Sequence, residues 1–109
     1  MEELKEKLLQ FLNKTGFSTL KKLIIECLLN SSLQNFEKFE KADVNFSFEH
    51  FGKRDCLKIS ISNHIPFEKI KEEWDKRGKE IKFHHFYKFV DKIVLKENGK
   101  TYLNLYFYL

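Results

Sequence analysis

The sequence predicts an α+β fold, a single domain over residues 1–109 with a mostly antiparallel sheet of about five strands. Three observations predict it. Asn98-Gly99 lies between two apolar, β-branched or aromatic runs, Ile93–Leu95 and Tyr102–Leu109, which is a hairpin signature. Apolar and polar residues alternate with period two through Val44, Phe46 and Phe48 and again through Leu57, Ile59 and Ile61. Ahead of them, residues 2–13 and 19–29 carry apolar residues at helical spacing. The expected arrangement is two N-terminal helices, then the sheet, with one more helix inserted between strands 2 and 3.

Residues 2–13 place Leu4, Leu8, Phe11 and Leu12 on one stripe, with Lys and Glu between them. Gly16 is a plausible stop, and Ser18 can cap the next helix by accepting backbone N–H groups. Residues 19–29 are apolar on most sides (Leu20, Leu23, Ile24, Ile25, Cys27, Leu28, Leu29), so this helix is expected to be the most buried, with Cys27 a small core residue. Residues 31–41 space Leu33, Phe36 and Phe39 by three behind Ser31 and Ser32. That reads as a separate short helix, with an extended edge segment as the alternative.

From Asp43 the period becomes two. The runs 44–48 and 57–61 form a hairpin around Gly52-Lys53-Arg54-Asp55, each strand having one apolar and one polar face. Pro66 is placed to open a helix, with Phe67, Ile70 and Trp74 as its stripe and Gly78 as its end. Its charged remainder is a solvated face, or else a docking helix. Residues 80–90 alternate as a further strand, with Lys82, His84, Phe86 and Lys88 on one side.

In the C-terminal hairpin, a two-residue type I′ loop would pair Glu97 with Lys100. Val94 would then face Leu103, and Ile93 would face Asn104. One face collects Val90, Val94, Leu103, Leu105, Phe107 and Leu109, with Lys92 the exception, and is assigned to the core. The other collects Phe89, Asp91, Ile93, Leu95, Tyr102, Asn104, Tyr106 and Tyr108. Tyrosine offers a large ring with a polar tip, which suits a surface that meets a partner. The plainer alternatives are a face covered by another element, paired in a dimer, or simply solvated.

Composition narrows the function classes. Of 109 residues, four are Gly and one is Pro, which argues against disorder and against a glycine-rich phosphate loop. The charged N-terminus does not resemble a signal peptide and no run is apolar enough to span a membrane, so a cytoplasmic protein with reduced thiols is expected. The bias toward Lys, Asn, Phe and Ile suggests AT-rich coding, as in a low-GC bacterium or its phage. The net charge of +4 is uneven: residues 1–75 hold 12 Lys and Arg against 13 Asp and Glu, and residues 76–109 hold 8 against 3.

No catalytic or metal pattern stands out. His50, His64, His84, His85, Cys27 and Cys56 lack the spacings of a zinc site, and adjacent His84 and His85 point to opposite faces of a strand. Cys56 beside Asp55 is the best nucleophile candidate, and a catalytic role would need a spatially adjacent histidine and a depressed pKa. Asp43, Glu49 and Asp55 lie around Lys58, yet the position two residues before the lysine is Cys56, so a restriction-type nuclease motif fails. No cofactor and no metal are expected. The leading expectation is a non-enzymatic protein-binding module, as in an inhibitor, immunity or phage anti-defence protein, using Tyr102, Asn104, Tyr106 and Tyr108, extended by Lys82, His84 and Lys88. The alternative is a single-stranded nucleic-acid binder using the same basic, aromatic face.

Overall fold

The computed structural model describes residues 2–77 and 89–109. In chain order they form α1 (Glu2–Leu12), α2 (Thr19–Glu37), β1 (Asp43–Phe51), β2 (Arg54–Asn63), α3 (Phe67–Arg77), β3 (Lys92–Glu97) and β4 (Thr101–Tyr108). The α+β class and the antiparallel sheet are as expected. Among the described residues the sheet has four strands in the order β1-β2-β4-β3, every neighbouring pair antiparallel. The strand expected over 80–90 lies outside the described residues except at Phe89 and Val90, which are a turn and irregular backbone. The inserted helix, α3, follows β2 in the chain, but β2 pairs with β4, so β3 takes the outer position.

Helix α1 buries Leu8 and Leu12, as its stripe requires, and the Thr15 hydroxyl donates to the Leu12 carbonyl at 2.7 Å just past its end. Ser18 caps α2, its hydroxyl accepting from the Lys21 N–H at 3.1 Å. The predicted break at Ser31-Ser32 does not occur. Ile25, Leu28, Leu29, Ser32, Leu33 and Phe36 form one continuous buried stripe, so packing carries the helix through the serines to Glu37. The helix is also less uniformly buried than expected. Leu20 (67% exposed), Leu23 (54%) and Cys27 face outward, so the Cys27 core assignment is overturned. Only half of an apolar helix can contact a single sheet.

The β1–β2 connection is tighter than the expected loop. Phe51 pairs with Arg54, leaving Gly52-Lys53 as a two-residue turn with Gly52 at φ +59°. Positive φ at the first central position is what a type II′ hairpin turn needs and what glycine supplies. Pro66 opens α3 as predicted, its carbonyl accepting from the Lys69 and Ile70 N–H groups at 3.0 and 3.3 Å.

The C-terminal hairpin departs from its predicted register. Glu97 pairs with Thr101, not Lys100, so the connection is Asn98-Gly99-Lys100. Gly99 has φ +74° and Asn98 has negative φ, whereas a type I′ turn needs positive φ at both. The extra residue turns β3 over. Ile93 lies opposite Leu105 and Leu95 opposite Leu103, so both pack against the core, while Lys92, Val94 and Lys96 join the tyrosines. Leu109, assigned to the core, is 55% exposed beyond the strand.

One cluster therefore fills the space between helices and sheet. Phe46, Leu57, Ile59, Ile61, Leu103, Leu105 and Phe107 come from the sheet, Leu8 and Leu12 from α1, Ile25, Leu28, Leu33 and Phe36 from α2, and Ile70 from α3. Full burial of each such side chain is worth about 1.5–3 kcal/mol. No helix among the described residues is long and apolar enough to cross a membrane.

Candidate functional site

Since the buried residues of all three helices join the cluster on one side, the chemistry of interest is on the sheet's second face. Alternation places Asp43, Asn45, Ser47 and Glu49 of β1 there, with Arg54, Cys56, Lys58, Ser60 and Ser62 of β2. The pairings of β4 then set Tyr102, Asn104, Tyr106 and Tyr108 between the β2 residues and Lys92, Val94 and Lys96 of β3. The four β4 residues expected to form a site thus do share a face. Lys82, His84 and Lys88 lie outside the described residues.

Each tyrosine ring carries a cation. The Arg54 guanidinium lies over Tyr108 at 5.0 Å from the ring centroid. The Lys58 and Lys92 ammonium groups lie over Tyr106 at 5.8 and 5.7 Å. Lys96 lies over Tyr102 at 5.7 Å. Such contacts contribute about 0.5–1 kcal/mol each at partly exposed positions and favour these ring–cation arrangements.

Sequence reasoning set Lys92 and Lys96 near the tyrosines without pairing them to the rings, and it missed Arg54 and Lys58. Lys92 was placed on the core face by the wrong register, and Arg54 and Lys58 reach the tyrosines only because β2, distant in sequence, neighbours β4. Alternation did place Lys58 on the polar side of its strand. The rest of the signal lay in strand order, which no local pattern carries.

The row is accessible at its ends. Tyr102 and Tyr108 are half-buried, but Tyr106 is 6% exposed and Asn104 only 2%. The Asn104 side-chain oxygen Oδ1 is buried and has no hydrogen-bond partner among the described residues. Asp91 fixes the entry to β3: its N–H donates to the Tyr106 carbonyl at 3.0 Å, and its Oδ2 accepts from the Tyr108 N–H at 2.7 Å. Lys21 of α2 adds a bond from Nζ to the Tyr108 carbonyl at 3.4 Å. These contacts anchor the end of β4 that carries Tyr108.

The other candidate groups do not converge. Cys56 is buried, and its thiol donates to the Glu49 carbonyl at 3.4 Å. Desolvation, reinforced by the Glu49 charge, pushes this thiol above its ordinary pKa, the reverse of what an activated nucleophile needs. Asp43 pairs with Lys100 at 3.2 Å, Glu49 with Lys58 at 3.3 Å, and Asp55 with His50. The acids considered for a nuclease centre are therefore separately partnered along the hairpin. Among the described residues no group of three or more His, Cys, Asp or Glu could hold a metal ion. His64 is held by Glu40, whose Oε1 accepts from the His64 N–H at 2.6 Å and lies 3.0 Å from Nδ1.

Comparison with protein-family models, with curated proteins and with solved structures found no match to this chain.

Proposed function

We propose that this protein is a small non-enzymatic binding module that acts by occupying a surface of a protein partner with the second face of its sheet. The observation that carries the reading is the ordered array on that face: three tyrosines in one row, each held against a cation. Tyrosine rings have few rotatable bonds, and contacts that bias their orientation further reduce the side-chain entropy lost on association, which favours binding. Tyrosine and arginine are also the residues that most often dominate interface energy. Inhibitor, immunity and phage anti-defence proteins act by this kind of occupation, and small size and composition suggest such a role here.

The test compares wild-type protein with a Tyr102→Ala, Tyr108→Ala double variant, both shown folded by circular dichroism, as baits in extracts of the source cell. A Leu20→Ser variant on the outer side of α2 serves as control. The proposal expects one partner retained by wild type and control and lost by the tyrosine variant. Equal retention by all three would refute it.

A further inference from the structure

We infer that the partner presents to this face an acidic segment about 20 Å long, with carboxylates meeting Arg54 at one end and Lys96 at the other. The inference rests on the binding-module reading and adds the chemistry of the partner. Tyr102 and Tyr108 are six residues apart on β4, roughly 20 Å at the rise of a strand. Each is half-buried and each supports one exposed cation, Lys96 at one end and Arg54 at the other. Between them Asn104 and Tyr106 are buried, so contact concentrates at the two ends.

Both ends are suited to carboxylates. A guanidinium lying over a ring keeps its N–H donors at its edge, where they can engage a carboxylate in bidentate fashion. The acids adjacent in sequence do not compete. Asp55 and Glu97 alternate to the opposite face from Arg54 and Lys96, and Asp55 is paired with His50. The acids on the second face itself, Asp43 and Glu49, are on edge strand β1 beside β2 and are paired with Lys100 and Lys58.

A single-stranded nucleic acid fits less well. Base stacking needs bare ring faces, and each ring here already carries a cation at 5.0–5.8 Å.

The test is an NMR titration of the isotope-labelled full chain at near-physiological salt. The probes are an octaglutamate peptide, a triglutamate peptide too short to span both ends, and an eight-nucleotide single-stranded DNA. The inference expects octaglutamate to shift resonances of residues 54–58, 92–96 and 102–108, and to bind at least about tenfold tighter than triglutamate, because bridging makes the second contact intramolecular. An Arg54→Glu, Lys96→Glu variant should weaken octaglutamate by about tenfold or more, and a Lys7→Glu, Lys38→Glu variant of equal charge by less than about twofold. Equal losses in the two variants, shifts confined to the helices, or tighter binding of the DNA would each overturn it. Failure here with the tyrosine variant still losing its partner removes only the acidic character. Retention of the partner by the tyrosine variant removes the binding-module reading itself.

Discussion

Leu95 sits directly opposite Leu103, and Lys96 directly opposite Tyr102. That one-residue register decides which side chains of β3 enter the core and which flank the tyrosines. It depends on a three-residue connection in which Gly99, at φ +74°, is the one residue with left-handed backbone.

Gly99 and Asn98 should therefore respond differently to substitution. Gly99→Ala places a Cβ in a left-handed conformation and should cost about 1–2 kcal/mol. Asn98→Ala, at negative φ, should cost less than about 0.5 kcal/mol. Urea unfolding of the two variants measures both. Similar large losses would mean that both residues need positive φ, as in the two-residue turn.

Asn63 should prove a structural hub. Its buried side chain donates from Nδ2 to the Phe36 and Glu40 carbonyls at 2.9 and 3.1 Å and accepts at Oδ1 from the Ile65 N–H at 3.0 Å. It thereby ties the end of α2 to the segment leading into α3. Asn63→Ala strands three backbone groups and should cost about 2–3 kcal/mol. Asn63→Asp should cost at least as much, since its carboxylate faces two carbonyl oxygens. An unfolding midpoint unchanged by Asn63→Ala would contradict the role.

Acid should weaken the loop closed by Glu40. The His64 backbone N–H above all, with the His64 ring and the Lys100 charge, holds this carboxyl below its ordinary value of 4.5 despite opposing desolvation. A depressed carboxyl stabilises the fold fully above its unfolded value, and that contribution disappears as pH falls through the lower folded value. The difference in urea midpoint between wild type and Glu40→Gln should thus be steady above pH 4.5 and close below it. A difference that widens in acid would contradict this sign.

The two thiols should separate cleanly. Cys27 is exposed on α2, while Cys56 is buried, hydrogen-bonded to the Glu49 carbonyl and raised in pKa by desolvation. A disulfide reagent should titrate Cys27 in the native protein and Cys56 only in denaturant. Rapid modification of Cys56 in a Cys27→Ser background would show the site open.

Much of this fold was legible because local rules sufficed. The Ser18 cap, the Pro66 helix start and the alternation of β1 and β2 follow from residue type and period. The errors arose where tertiary packing or one turn residue decides. Ser31 and Ser32 look like caps, but the stripe through Leu33 and Phe36 keeps them helical. The exposure of Leu20, Leu23 and Cys27 depends on which half of α2 meets the sheet. Asn98-Gly99 signalled a hairpin correctly and its loop length incorrectly, and a slip of one residue exchanged the faces of β3. The tyrosine row was readable from alternation within β4. Its cations were not: Arg54 and Lys58 reach it only because β2 lies beside β4, and Lys92 and Lys96 only because of the three-residue turn.

The most direct test of the central claim is site-specific photo-crosslinking in the source cell, with a benzophenone side chain at position 102, at position 108 or, as control, at position 20. The account predicts the same protein crosslinked from positions 102 and 108, and not from position 20. Crosslinks arising from position 20 alone would place the working surface on α2 and contradict it.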